Sequence, residues 1–183
     1  IWTTVTSGYF YLCQSLMFQK RYDDAKKELN EYEKAIHRAE EFLLVTDVAS
    51  WRNLWNISAN IYFESGDYDK AEFYCEKLES EKTLDSRVKI AILTIRASIF
   101  ELRKEYDKAL EQIDWRMKLE AMDRQSLKLL PIQMQKARVL TKMGRADEAY
   151  GLYMNAFNAK DSTYNVDLNA RLDELRTQYE VDK

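Results

Sequence analysis

The sequence predicts an all-α protein built from repeated helical hairpins, and three observations carry that expectation. A short phrase recurs four times: Arg21-Tyr22-Asp23-Asp24-Ala25, Gly66-Asp67-Tyr68-Asp69-Lys70-Ala71, Glu105-Tyr106-Asp107-Lys108-Ala109 and Arg145-Ala146-Asp147-Glu148-Ala149. Each copy separates two stretches of helical apolar periodicity, as the elbow of a hairpin does. The 183 residues include one proline and four glycines, which favours long helices with short connections over a turn-rich sheet. At 46% apolar and 32% charged, the chain can fill a core and still keep a wetted surface.

The elements follow from the phrase. Its closing alanines, Ala25, Ala71, Ala109 and Ala149, are 46, 38 and 40 residues apart. Upstream of each stands a small residue, Cys13, Ala59, Ala97 or Ala137, followed three residues on by Leu16, Tyr62, Phe100 or Leu140. Small residues at these positions let two helices approach closely while the large ones fill the seam. The hairpins are expected at about 6–45, 49–80, 84–120 and 123–160. In the first, Ala25, Leu29, Tyr32, Ala35, Ile36, Ala39, Phe42 and Leu43 keep an unbroken 3-4 rhythm, so its second helix should be longer than usual by about three turns. The first helix of the second hairpin carries Trp51, Leu54, Trp55, Ile57, Ala59, Ile61 and Tyr62, and that of the third Val88, Ile92, Leu93, Ile95, Ile99 and Phe100. Pro131 is expected to open the first helix of the fourth hairpin, where its missing N–H is tolerated. Asp23, Asp69, Asp107 and Asp147 should sit in the opening turns of the second helices, near the positive end of the dipole. At the elbow itself Gly66 and Gly144 suit a left-handed cap, and Lys20 and Lys104 stand at the same place in the other two copies. Residues 161–183 break the repeat. Asp161-Ser162-Thr163 offers caps, and the last helix carries a heptad-like stripe, Leu168, Leu172, Leu175 and Tyr179, which would cap the array or pair it with a second copy.

The repeats over residues 1–160 resemble the tetratricopeptide repeat (TPR), whose usual length is about 34 residues. The resemblance implies a right-handed superhelical solenoid of helix-turn-helix units with an extra C-terminal helix. It also implies that the small residue of each first helix packs on the alanine of the second, pairing Cys13 with Ala25, Ala59 with Ala71, Ala97 with Ala109 and Ala137 with Ala149. Ala146 departs from the elbow aromatic supplied elsewhere by Tyr22, Tyr68 and Tyr106.

Charge and motif content narrow the function. The net charge is -3 with acids and bases interspersed, which gives no footprint for nucleic acid. No apolar run is long enough to span a bilayer. The chain begins at Ile1, which suggests an excised piece or a processed N-terminus. Phosphate-loop, zinc-pair and nucleophile–histidine arrangements are lacking, so catalysis, cofactors and metals are not expected. Cys13 and Cys75 read as free buried thiols, with a disulfide as the alternative, and His37 as a surface or interface histidine.

A binding role has a physical basis. First helices of stacked hairpins line a concave groove. The helical period places Phe10, Gln14, Met17, Asn56, Asn60, Phe63, Thr94, Ser98, Met134 and Arg138 along it, where amides grip a peptide backbone and aromatics anchor its side chains. Solvated helix residues are the alternative reading of Asn56 and Asn60. TPR domains that clamp acidic peptide C-termini use lysines and arginines in this groove, and only Arg138 fits here. Finally, residues 171–183, from Arg171-Leu172-Asp173-Glu174 to Lys183, resemble the segment following the last repeat in bacterial extracytoplasmic TPR sensors. That resemblance implies a ligand- or protein-sensing, non-catalytic domain. It would lie in the periplasm, with a transmembrane helix downstream and a cytoplasmic half that is often a histidine kinase. A homodimer through the last helix is expected. The alternative is a cytoplasmic TPR scaffold or regulatory domain.

Overall fold

The structure, a computed structural model, describes residues 2–81, 84–121 and 126–155. The candidate pairing helix with Leu168, Leu172, Leu175 and Tyr179 lies outside the described residues, as does the stretch 156–160. Seven helices run in order: α1 (Trp2–Phe18), α2 (Tyr22–Leu43), α3 (Val48–Glu64), α4 (Tyr68–Glu79), α5 (Ser86–Leu102), α6 (Tyr106–Ala121) and α7 (Ser126–Lys142). An eighth, α8, covers 146–155. No strand occurs among the described residues. The chain divides into two compact units, one ending at Leu119 and one beginning at Glu120. The first holds three helical hairpins in succession, and the second holds the hairpin of α7 and α8. The architecture is an all-α series of two-helix repeats.

The four elbows are built alike to within a few tenths of an ångström. The second residue after each first helix adopts a left-handed backbone, with φ of 59° at Lys20, 84° at Gly66, 62° at Lys104 and 77° at Gly144. The amide that follows donates back five residues, Arg21 to Leu16 and Asp67 to Tyr62 at 2.9 Å, Glu105 to Phe100 at 2.8 Å, and Arg145 to Leu140 at 2.9 Å. This is the paired-bond helix stop that satisfies orphan carbonyls. The same four residues then accept the first bond of the next helix, from Ala25, Ala71, Ala109 and Ala149 at 2.9–3.1 Å. The fourth elbow closes like the others although Ala146 replaces the aromatic. Each is also latched between the capping residue and the residue three on: Arg21 with Asp24, Lys70 with Asp67, Lys108 with Glu105, and Arg145 with Glu148. The sign of the pair reverses between the outer and inner elbows, so either polarity serves. Arginine contact holds the exposed Asp24 and Glu148 carboxyls below their usual range.

Behind each elbow the expected small pairs are sealed from solvent. Cys13, Ala25, Ala59, Ala71, Ala97, Ala109 and Ala137 have no exposure at all, and Ala149 is 3% exposed. Cys13 and Ala25 share one core cluster with Leu16, Leu29, Tyr32, Ile36, Leu54, Ile57 and Ile61. Ala59, Ala71, Cys75, Leu78, Ile92, Ile95 and Ile99 form the next. Helix α3 contributes to both. The 3-4 rhythm of α2 buries Ala25, Leu29, Tyr32, Ala35, Ile36 and Ala39, giving 22 residues against 12 in α4. Leu44 ends α2 in a left-handed conformation (φ 54°) with its amide on Glu40 O. Side-chain caps start three helices, with Asp47, Asp67 and Asp85 accepting from Ser50, Lys70 and Val88 amides at 3.0, 3.3 and 3.0 Å.

One expectation is corrected. Pro131 does not open α7; it is the sixth residue of a helix that begins at Ser126. A proline there removes one backbone bond and crowds the preceding turn. Burial just beyond it, of Ile132, Ala137, Val139 and Leu140, holds the segment helical regardless.

The cysteines are free and buried, as expected. Burial pushes both thiols from the ordinary 9.0 up to about 12, with nearby carboxylates adding to the effect. The folded state therefore favours the protonated thiol. Its stabilising contribution is complete below pH 9 and is lost as pH rises toward 12. Between pH 8.5 and 10, unfolding free energy from urea titration should start to fall, approaching about 1.4 kcal/mol per pH unit for each thiol above pH 9. A Cys13→Ala/Cys75→Ala variant should lose most of that slope. At the elbows, Lys20→Gly and Lys104→Gly should each raise stability by about 0.5–1 kcal/mol by relieving the left-handed strain. Gly66→Ala should lower it by about 1 kcal/mol, through the backbone alone, because a Cβ there meets nothing within 4 Å.

Candidate functional site

The first unit contains a cleft of about 570 Å³ bounded by α2, α3 and α4. Helix α3 forms its floor with Trp51, Leu54, Trp55, Ser58 and Tyr62, positions that recur on one face at the helical period. Helix α2 contributes Leu29, Asn30, Glu33 and His37, and α4 contributes Phe73, Tyr74 and Lys77, with Glu81 just beyond. Five aromatic side chains and the His37 imidazole line the space. His37 meets Trp51 edge-on at 5.0 Å, Trp51 lies 5.9 Å from Trp55, Tyr62 stacks on Tyr74 at 5.6 Å, and Phe73 meets Tyr74 edge-on at 5.3 Å. These separations fall in the favourable range for ring pairs. Lysines already sit over the ring faces. Lys77 is 5.8 Å from Trp55 and 5.3 Å from Phe73, while Lys26 and Lys70 are 5.3 and 5.0 Å from Tyr62.

One carboxylate sets the geometry of the upper end. Glu40 Oε1 accepts from the Trp51 indole at 2.8 Å and from the Asp47 amide at 2.9 Å, and its other oxygen lies 3.8 Å from His37 Nδ1. It therefore pins the α2–α3 connection and fixes the Trp51 ring. It can do so because α2, at 22 residues, outruns α4 at 12 and α6 at 16. Below it, the Tyr32 hydroxyl donates to Ser50 O at 3.4 Å, and burial holds that phenol well above its ordinary pKa. Tyr74 is shifted the same way, by burial first, then by Tyr62 and Glu33. Glu33 makes no hydrogen bond or ion pair among the described residues.

A second cleft, about 430 Å³, lies one repeat further on, between α4, α5 and α6. Adding 38 to Thr46, Trp51, Leu54, Trp55, Ser58, Phe73, Tyr74, Lys77 and Glu81 gives Leu84, Lys89, Ile92, Leu93, Arg96, Glu111, Gln112, Trp115 and Leu119, all of which line it. Its remaining residue, Glu79, stands 46 beyond Glu33. The two clefts are thus the same site in successive repeats, with different occupants. In the second, Arg96 rises from the floor and donates through Nε to Glu72 at 2.6 Å and through Nη1 to Glu79 at 2.5 Å. Burial opposes the guanidinium charge, but the bonds to Glu79 and Glu72 outweigh it and raise the Arg96 pKa. In the first, the floor position is Ser58, and nothing crosses.

None of the ten residues expected along a concave groove lines either cleft. On α3, Asn56, Asn60 and Phe63 project on the side away from Trp51, Trp55, Ser58 and Tyr62, at about 100° per residue. Phe10 and Met17 are half-buried against the first core, and Phe63 against the second. Gln14 is half-buried on α1. Several of the polar members bond to their own helices: Asn60 to Asn56 O at 2.8 Å, Thr94 to Ile90 O at 2.7 Å and Ser98 to Thr94 O at 3.0 Å. The Asn56 side-chain oxygen is buried without a partner. Met134 and Arg138 are exposed on α7, in the other unit. Conversely, periodicity alone passed over Glu33, Glu40, Phe73 and Tyr74. The usable signals were two of the four tryptophans within five residues, and serine at 58 against arginine at 96 at the same repeat position.

Among the described residues, no group of three or more His, Cys, Asp or Glu side chains is placed to hold a metal ion. No described helix is long and apolar enough to cross a membrane. No family model matches the chain, and no curated protein matches it. Among solved structures, it is similar to PlcR of Bacillus thuringiensis, whose crystal structure is a complex with the peptide PapR7 and DNA. Identity is 17%, coverage is 90% of this chain and 74% of PlcR, and the TM-score is 0.48, a likeness too slight to transfer either partner.

Glu40→Ala should cost about 1–3 kcal/mol, because it leaves the part-buried Trp51 indole and Asp47 amide without their acceptor. Urea denaturation checks the stability, and a red shift of tryptophan emission reports the freed ring. Glu40→Gln keeps an acceptor oxygen and should lose less than half as much.

Proposed function

We propose that this chain is a non-catalytic, peptide- or protein-binding sensor domain of a membrane-anchored bacterial signalling protein, and that the α2–α3–α4 cleft is where its ligand docks. The carrying observation is the cleft itself: five aromatic side chains, two of them indoles, around a space of about 570 Å³. Small-ligand and peptide sites are concave, mostly apolar and edged by a few polar groups, and aromatic anchors supply most of the affinity in such sites. Asn30, Glu33, His37, Lys77 and Glu81 supply the polar edge. The sensor context rests on the resemblance of residues 171–183 to the segment after the last repeat in extracytoplasmic TPR sensors, which would put the domain in the periplasm. A ligand drives signalling only if it binds two arrangements of the domain unequally. The α2 and α4 walls, joined through α3, are the elements whose spacing a ligand would set.

Panning a random peptide display library on the purified domain, then measuring the recovered peptides by tryptophan fluorescence, tests the binding half. Trp55→Ala and Phe73→Ala should each weaken them at least tenfold, whereas Asn56→Ala/Asn60→Ala should not. The reverse pattern would move the site to the opposite side of α3. An apolar span of about 20 residues encoded shortly after Lys183 supports the sensor half. A stop codon or a DNA-binding domain there would instead make this a regulatory domain without a membrane link.

A further inference from the structure

The two clefts occupy equivalent places in successive repeats, so the second serves as an internal template for what the first accepts. There the chain supplies its own occupant. Arg96 stands on the floor of the second cleft, 15% exposed, with its guanidinium between Glu72 and Glu79. One repeat earlier the floor residue is Ser58, fully buried and too short to reach across. The carboxylate equivalent to Glu79 is nevertheless retained as Glu33, which has no ion pair of its own, and Glu81 adds a second, held only loosely by Arg52 at 3.8 Å. Where the second cleft has Leu93 and Gln112, the first has Trp55 and Tyr74.

We propose that the first cleft takes an arginine side chain from a peptide ligand, its guanidinium bonding Glu33 and stacking on the aromatic walls, in the place that Arg96 fills in the second. The proposal rests on the peptide-binding reading above and specifies its ligand. The chemistry favours arginine over a neutral residue. A planar guanidinium matches a carboxylate as a fork and lies flat on an aromatic face, and it is more weakly hydrated than an ammonium. The position of Lys77 over Trp55 and Phe73 shows that these faces accept a cation.

The test is a titration of the isotope-labelled domain with a capped pentapeptide bearing one central arginine between glycines, against its citrulline counterpart, which keeps the shape and lacks the charge. Indole N–H resonances of Trp51 and Trp55 are the readout, and Trp115 is the internal control. The arginine peptide should shift the first two and bind at least tenfold more tightly than the citrulline peptide. Glu33→Gln, an exposed substitution that leaves the core untouched, should remove most of that preference. Ser58→Arg should close the cleft from within and abolish binding, with the Trp115 signal unchanged. Equal titration by the two peptides, or an unchanged preference in Glu33→Gln, overturns the arginine assignment. In that case library peptides lacking arginine that still bind would leave the docking site standing, whereas a library that yields no binder would remove both.

Discussion

The structure depends on how closely two helices approach inside each hairpin. Cys13 shares a core with Ala25, and Ala59 with Ala71, and the alanines at the same places in the other two repeats are equally sealed from solvent, leaving little side chain to adjust between the helices. A larger residue at any of these eight positions would force the helices apart and spoil the elbow that joins them. The elbow tolerates much more. Lysine or glycine serves at its left-handed residue, either charge polarity serves in its latch, and an alanine serves where the others place tyrosine. Packing is thus held at the small pairs, and the connections are read mainly by backbone shape.

Holding the hairpins to one geometry leaves the repeats free to differ between successive second helices. A cleft opens there in each of the two repeats compared, floored by the intervening first helix, and its character turns on very few residues. Serine at 58 leaves the first open; arginine at 96, bonded to Glu72 and Glu79, bridges the second. The length of α2 adds a further difference, since its last turns carry His37 and Glu40 to the upper end of the open cleft.

Much of the fold was legible in the sequence because its determinants are local and recur at fixed offsets. The small pairs, the left-handed position at Lys20, Gly66, Lys104 and Gly144, and the long run of α2 all follow from spacing and residue type. Pro131 departs from that legibility for the complementary reason. Local preference puts proline in the first turn, but burial of the residues after it holds a longer helix around it. The cleft was harder to see. Helical periodicity says which residues of α3 share a face, but not which of two amphipathic sides stays open. That choice depends on partners far along the chain: Glu40 with Trp51 across the α2–α3 connection, and Arg96 with Glu72, 24 residues away. Residue type alone made Trp51 and Trp55 core candidates, whereas both are only half-buried.

Helix α3 belongs to two cores at once. Leu54, Ile57 and Ile61 are counted in the first, and Ala59 in the second, with Trp55 and Tyr62 packed against both. In a linear array, neighbouring repeats melt together to the extent that their shared interface exceeds the deficit of each repeat alone. Here the shared interface is a whole helix, so the two walls of the open cleft belong to one cooperative block. Occupancy of the cleft is then linked by mass action to the folding equilibrium of that entire block, not to the ordering of a loop.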